Sequence, residues 1–299
     1  MSTQQKSGTA APRAGAAGTI TFGGDLRVNR LGFGAMRLTG QGIWGPPADH
    51  GEALRVLRRA MELGVDFIDT ANSYGPHVSE ELIAEALHPY PEGLVIATKG
   101  GLERPGPGKW HSRGDPDYLK RELEGSLRRL RLERVDLYQL HRIDPEVPED
   151  EQFDVLREFL SAGLARHIGL SEVSVEQIRR ARRVVPIVSV QNRYNLEDRK
   201  WESVLEYCEH EKLAFLPWAP LSAGKIGADS ALARVAERRN ATPMQVAIAW
   251  LLARSPVMLP IPGTSRVTHL DENVAAASLF LTSQDLAELA RASAASIPD

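Results

Sequence analysis

Three short segments of this 299-residue chain stop at groups that exchange protons or hold charge. They are DFIDTANSYG (66–75), with Asp69 and then Tyr74, ATKGG (97–101) with Lys99, and LYQLHR (137–142) with His141. Each begins as the apolar run of a buried parallel strand and then turns polar. Taken singly, ordinary roles suffice: Asp69 as a turn cap, Lys99 as a rim charge, Tyr74 as an amphipathic surface residue, His141 as a satisfied core histidine. Three successive strands ending in ionisable groups are harder to assign to accident. Together the four side chains suit proton donation to a carbonyl. A free phenol, with a pKa of about 10, is a poor acid at neutral pH. One ammonium ~4 Å away is worth roughly 4 kcal/mol at an effective dielectric of ~20, or about three pKa units. Lys99 is therefore expected to make Tyr74 acidic, and Asp69 to keep Lys99 charged against burial. His141 is expected to orient the substrate oxygen and share its developing charge.

The elements that must position these groups alternate along the chain. Short apolar runs at 31–36, 67–69, 94–98, 137–141, 167–171, 187–191, 214–217 and 257–260 read as strands. Between them lie helical patterns at 52–63, 79–87, 118–130, 152–162, 175–183, 199–209, 230–240 with 243–253, and 267–277. Leu119, Leu123, Leu127 and Leu130 have the spacing of one apolar helix face. Eight strand–helix repeats without a composition break argue for an α/β fold, one closed (β/α)8 TIM barrel spanning 19–299. A doubly wound two-domain protein is the competitor, but GFGAMR (32–37) lacks the third glycine of a dinucleotide-binding turn. A β-hairpin around Gly23-Gly24-Asp25 should plug the N-terminal mouth, and an extra helix at about 283–292 should end the chain. Residues 1–18, rich in Ala, Gly and Ser with no apolar core segment, read as a disordered N-terminal tail. In such a barrel the active site lies where the strands stop, which is where Asp69, Lys99 and His141 stand.

Bulk properties exclude other classes. A formal charge of −3 offers no overall basic character for nucleic acid, and Arg128-Arg129 and Arg238-Arg239 read as solvated helix faces. The single cysteine, Cys208, rules out an intramolecular disulfide and a multi-cysteine zinc site, so no metal is expected and a cytoplasmic compartment is the default. No apolar run approaches the ~18 residues of a membrane span.

As an ensemble, GFGAMRL, DTANSYG, ATKGG, LHR, GLSEVS, VQNRYN, PWAPLSAG and IPGTSR followed by HLDEN resemble the aldo-keto reductase superfamily, in that family's order. The resemblance covers the chain after the tail. It implies a barrel binding an extended nicotinamide cofactor, NADPH in preference to NADH, and makes Asp69, Tyr74, Lys99 and His141 the match to a catalytic tetrad. By similarity Ala35 and Met36 border the cofactor, Ser171 and Gln191 hold the nicotinamide carboxamide, and Trp218 stacks on the ring. Pro220, Leu221, Ser222, Gly224 and Lys225 resemble the loop over the pyrophosphate. Gly263, Thr264, Ser265 and Arg266 lead into a helix, and hydroxyls, unpaired helix N–H groups and a guanidinium suit the 2′-phosphate. His269, Glu272 and Asn273 match the adenine end. The chain departs from the common pattern at Glu172, where many members have Asn, and at Ser265 and His269, where related branches often have Arg.

Trp44 in GIWGPP and Trp110 in RPGPGKWHSRG are candidates for the substrate pocket, both on Gly/Pro-rich loops. The reading is NADPH-dependent reduction of an aldehyde or ketone by a monomer or small homo-oligomer. Its partner is a small carbonyl compound, with neither nucleic acid nor membrane. Two alternatives stand beside it: an NADPH-binding regulatory subunit with little turnover, and a Schiff-base aldolase with Lys99 as nucleophile.

Overall fold

A computed structural model of the protein describes residues 13–219 and 230–294. It opens with an antiparallel hairpin, β1 (Thr19–Phe22) and β2 (Leu26–Asn29). The turn has Gly23 and Gly24 at positive φ, and a Cβ on Gly23 would stand 2.5 Å from the His167 ring. The repeating part follows as β3 (Phe33–Gly34), α1 (His50–Glu62), β4 (Phe67–Asp69), α2 (Val78–Leu87) and β5 (Val95–Gly100). A short hairpin, β6 (Leu102–Glu103) with β7 (His111–Ser112), precedes α3 (Pro116–Leu130), β8 (Val135–Leu140) and α4 (Glu149–Ser161). Then come β9 (Ala165–Ser171), α5 (Val175–Ala181), β10 (Ile187–Gln191), α6 (Glu202–Glu211), β11 (Ala214–Phe215), α7 (Ala231–Arg239), α8 (Pro243–Arg254), α9 (Val267–Ala275) and α10 (Ser283–Ala294).

Side chains write many of the helix starts. Asp49 accepts from the Glu52 N–H to open α1, and Asp115 with Pro116 opens α3. Reciprocal capping boxes, Ser174 with Gln177 and Thr242 with Gln245, open α5 and α8.

Among the described residues the parallel strands run in the order β3-β4-β5-β8-β9-β10-β11. The strand expected at 257–260 makes only an isolated bridge, Met258 to Phe215. Pro256 and Pro260 stand on either side of that bridge and have no N–H to give a ladder. Its backbone nonetheless closes the ring. Phe215 N–H donates to Val257 O at 2.9 Å, Leu259 N–H to Phe215 O at 2.8 Å, and Gly32 N–H to Pro260 O at 2.9 Å. Closure here needs glycine, since a Cβ on Gly34 or Gly263 would stand 2.6 or 2.4 Å from the facing carbonyl oxygen. The first strand is also shorter than expected: after Gly34 the chain enters a 3-10 turn, Ala35–Leu38.

Two apolar sets hold the molecule. The larger lies between sheet and helices and includes Ile68, Ile96, Tyr138 and Leu140. The smaller fills the barrel, where Phe67, Ala97, Leu137 and Ile261 pack with Phe22, Leu26 and Val28 of the hairpin, the plug anticipated from the sequence. Alternation along a strand then sends Asp69, Lys99 and Gln139 inward, one layer above Phe67, Ala97 and Leu137. One expectation needs correction. Within the tail read as disordered, Ala14–Ala17 form a 3-10 turn, Ala14 is buried, and its N–H donates to Leu63 O at 2.9 Å.

Candidate active site

Asp69 ends β4, Lys99 lies near the end of β5, and His141 follows the last residue of β8. Adjacent parallel strands bring these ends together, with Asp69 opposite Ala97 and Lys99 opposite Gln139. Lys99 is fully buried and all three of its N–H bonds are committed: to Asp69 Oδ2 at 2.6 Å, Thr70 O at 2.9 Å and Tyr74 Oη at 3.3 Å. Burial works against the ammonium, yet Asp69 and Tyr74 beside it raise its pKa above the ordinary lysine value. The other carboxylate oxygen of Asp69 accepts from Gln139 Nε2 at 3.0 Å and Gln191 Nε2 at 2.7 Å. Three side chains, from β5, β8 and β10, thus converge on the carboxylate that ends β4.

Tyr74 is 5% exposed and meets the His141 ring edge-on, centroids 5.8 Å apart. Ser73 Oγ lies 3.4 Å from His141 Nδ1. Burial, with the Lys99 and Arg142 cations adding to it, drives the His141 pKa well below the usual histidine value, so the ring is neutral at physiological pH. The expectation that Lys99 makes Tyr74 acidic is not met in this structure. Burial of the phenol outweighs the neighbouring ammonium, and the Tyr74 pKa lies above the ordinary value.

The loops around the tyrosine are tied by Arg104, which had no signal in the sequence. It is 7% exposed, and its guanidinium donates to Lys109 O (2.9 Å), Ile43 O (3.0 Å), Ser73 O (3.2 Å) and Gly42 O (3.2 Å). Trp110 stacks on it at 3.6 Å and Trp44 lies 5.5 Å away. The candidate pocket tryptophans therefore flank a cation that binds the 42–45 loop to the tyrosine segment. Gly45 N–H adds a bond to Gly75 O at 2.6 Å.

Of the residues matched to cofactor binding, Ser171 and Gln191 end β9 and β10 beside these groups. Ser171 is buried and its hydroxyl accepts from Arg142 Nη1 at 3.1 Å. Gln191 turns its amide nitrogen to Asp69, which makes it a support of the tetrad. Trp218 is half-buried, its Nε1 donating to Glu172 Oε1 at 2.8 Å, while the same oxygen accepts from Arg193 N–H at 2.5 Å. Glu172 itself has φ 55°, the left-handed region. Ala35 is buried and Met36 half-buried. Pro220, Leu221, Ser222, Gly224 and Lys225 lie outside the described residues. At the start of α9, Gly263, Ser265, Arg266, His269 and Glu272 are exposed, whereas Thr264 and Asn273 are buried. The expectation of unpaired N–H groups there is only partly met: Val267 N–H donates to Glu52 Oε1 at 2.9 Å, a carboxylate 215 residues away in sequence. Glu52 is drawn there by the same helix-end field that would attract a phosphate.

Gln139, Arg104 and Arg142 are the site residues that sequence reading missed. Only Gln139 left a trace, a polar residue in the inward register two positions before His141.

Residues 30–294 match the model of the family described as "Aldo/keto reductase family". An uncharacterized oxidoreductase of Schizosaccharomyces pombe is 52% identical over 277 residues, 92% of this chain and 90% of that protein. The pyridoxine 4-dehydrogenase of Escherichia coli is 43% identical over 277 residues, 91% of this chain and 96% of that one. Among solved structures, an aldo-keto reductase from Klebsiella pneumoniae in complex with NADPH superposes with TM-score 0.77 at 26% identity, covering 91% of this chain and 94% of the other.

Proposed function

The chain belongs to the aldo/keto reductase family, and from that premise we propose that it reduces an aldehyde or ketone to the alcohol with NADPH, Tyr74 delivering the proton to the carbonyl oxygen. The observation that carries this reading is the Tyr74 hydroxyl, 3.3 Å from the buried Lys99 ammonium and edge-on to a neutral His141. When bound, NADPH supplies a hydride from nicotinamide C4.

The rim suits such a cofactor. Arg266 and Ser265 are exposed beside the start of α9, and a guanidinium with a hydroxyl matches the demands of a phosphate monoester. Trp218 offers a half-buried aromatic face next to the β9 end that carries Ser171. These residues would hold the 2′-phosphate and the nicotinamide, as the likeness to the NADPH-bound Klebsiella protein supports.

Each side chain has a distinct task. Lys99 donates to Tyr74 Oη, so the phenolic hydrogen is free to point away from the lysine, toward substrate. Its raised pKa keeps Tyr74 protonated at neutral pH, the form a proton donor needs. An alkoxide is a far stronger base than a phenolate, so transfer runs downhill even from a phenol that burial has made less acidic. The ammonium then neutralises the phenolate left behind, and Asp69 keeps the ammonium charged. His141, with Nδ1 facing the Ser73 hydroxyl, keeps Nε2 to donate to the carbonyl oxygen.

The Schiff-base alternative finds no support, because Lys99 has every N–H committed and a partner that favours its protonated form. The reading extends to a cytoplasmic enzyme, monomer or small homo-oligomer. Cys208, buried and with its thiol pushed up to about 12, suits a reducing compartment. In Tyr74→Phe, kcat/KM for NADPH-dependent reduction across an aldehyde panel that includes pyridoxal should fall about 10²- to 10⁴-fold, with NADPH affinity by fluorescence retained. Turnover equal to the parent enzyme removes Tyr74 from the mechanism.

A further inference from the structure

Among the described residues, Arg142 is a cation without a carboxylate partner, anchored beside His141 and Ser171. One nitrogen, Nη1, is pinned between two oxygens, His141 O at 2.6 Å and Ser171 Oγ at 3.1 Å. Nε and Nη2 meet no protein acceptor among the described residues, and no described carboxylate lies within ion-pair distance. The Arg142 side chain is half-buried and anchored beside His141 and Ser171, so those two donors remain on offer at the rim. Glu172, the acid whose charge acts on Arg142, has one oxygen spent on Trp218 Nε1 and on Arg193 N–H.

The surrounding charge points the same way. Asp69 and Lys99 neutralise each other. Arg104, which donates to Ser73 O one residue before Tyr74, also has no described carboxylate partner and has spent its donors on backbone carbonyls. Among the described residues neither guanidinium has an ion-pair partner, although the chain carries net charge −3, and Glu172 acts on Arg142 only at longer range. A partly desolvated cation with spare donors and no carboxylate bonded to it favours an anion, and a planar guanidinium pinned at one nitrogen offers Nε and Nη2 as a two-pronged clamp.

Resting on the reductase reading and deepening it, we propose that Arg142 is a specificity-determining residue that recognises an anionic oxygen on the substrate, so that the enzyme prefers carbonyl compounds carrying a carboxylate or another acidic oxygen near the carbonyl. The substrate's carbonyl meets Tyr74 and His141, and its anionic group meets the free edge of Arg142. The recognition involves no bond making and is separate from proton delivery.

The test compares 4-carboxybenzaldehyde with its uncharged methyl ester, methyl 4-formylbenzoate, in the full-length enzyme with NADPH. The parent enzyme should favour the carboxylate by about tenfold or more in kcat/KM, as expected for a charge-assisted hydrogen bond. Raising KCl to about 0.5 M should shrink that preference. Arg142→Met should bring the ratio to about one, and Arg142→Lys should restore part of it, because charge is kept while the two-pronged geometry is lost. A ratio at or below one in the parent enzyme, or a ratio unchanged in Arg142→Met, overturns the assignment. Equal loss on both substrates also overturns it, leaving Arg142 to position Ser171. Calorimetric binding of 4-carboxybenzoate to the NADP⁺-loaded enzyme is a second readout: weaker binding in Arg142→Met supports the anion clamp even if neither aldehyde turns over, and equal binding refutes it. Lack of turnover with both aldehydes, alongside that binding difference, would count against the reductase reading alone.

Discussion

At the N-terminal mouth of the barrel, Asp25 in the hairpin turn accepts from Arg166 at 2.6 and 3.0 Å and from His167 at 2.6 Å, with its side chain 50% exposed. At the C-terminal mouth, Asp69 accepts from Lys99, Gln139 and Gln191 with its side chain 3% exposed. Both mouths set an acid against a cation with a histidine nearby, and the bonds are equally short. The difference is water. Around Asp25, solvent screens the pair and its net value is small. Around Asp69, the barrel interior excludes solvent, so the charges act on each other and on the neighbouring phenol and imidazole at close to full strength. Chemistry belongs to the mouth where the charges are dry.

Removing one partner at each mouth is the sharpest way to break that contrast. Lys99→Met leaves a buried carboxylate with no cation, and should cost about 3 to 5 kcal/mol of stability in chemical denaturation. It should also lower reductase kcat/KM by about 10²- to 10⁴-fold, since the phenolate then forms without its neutralising charge. Asp25→Asn should change stability by about 1 kcal/mol or less and leave KM and kcat as they are. Comparable destabilisation at the two mouths would mean that burial does not separate them.

What made the dry mouth legible in the sequence was its polarity in the wrong place. Asp69, Lys99 and His141 interrupt apolar runs in an inward register, and an inward ionisable group at a strand end has few structural uses. The hairpin plug was legible for a similar local reason, its Gly-Gly-Asp turn between apolar residues. What the sequence hid was long-range. Arg104 acts on carbonyls of residues 42, 43 and 73, and Glu52 caps a helix 215 positions later, so neither role follows from local pattern. The eighth strand looked like its neighbours, yet its prolines reduce it to a single bridge. The phenol's acidity was misjudged because closeness of the pair can be assumed from neighbouring strand ends, whereas the desolvation that outweighs it depends on how completely the loops close.

Loop closure can be loosened without touching the tetrad. Arg104→Met keeps the apolar stem between Trp44 and Trp110 but abandons four backbone carbonyls near Tyr74. At the N-terminal mouth, Arg166→Met removes a guanidinium from a wet ion pair. The Arg104 variant should lose about tenfold in kcat, as positioning errors near a proton donor do, and should recover part of it in Arg104→Lys. KM for a small uncharged aldehyde should move less than kcat. The Arg166 variant should retain both constants. Equal behaviour of the two variants would show that Arg104 is a surface tie and not a positioning residue.

A further contrast concerns His141, and it reads the dryness of the mouth directly. Burial holds its folded pKa well below the ordinary value, while in the unfolded chain it returns to about 6.5. Below about pH 6.5 the unfolded state therefore binds a proton that the folded state refuses, and stability falls as pH falls, by up to about 1.4 kcal/mol per pH unit. The same burial leaves the imidazole neutral and Tyr74 protonated from about pH 6 to 9, so kcat/KM should show no break in that range and should decline only on the alkaline side of about 10. His141→Asn removes the titrating group while keeping a polar side chain. Denaturation midpoints measured between about pH 5 and 6.5 should then fall more steeply for the parent protein than for the variant. Parallel slopes would mean that water reaches the imidazole in the folded state, and the electrostatic distinction between the two mouths would fail at the residue where it is easiest to measure.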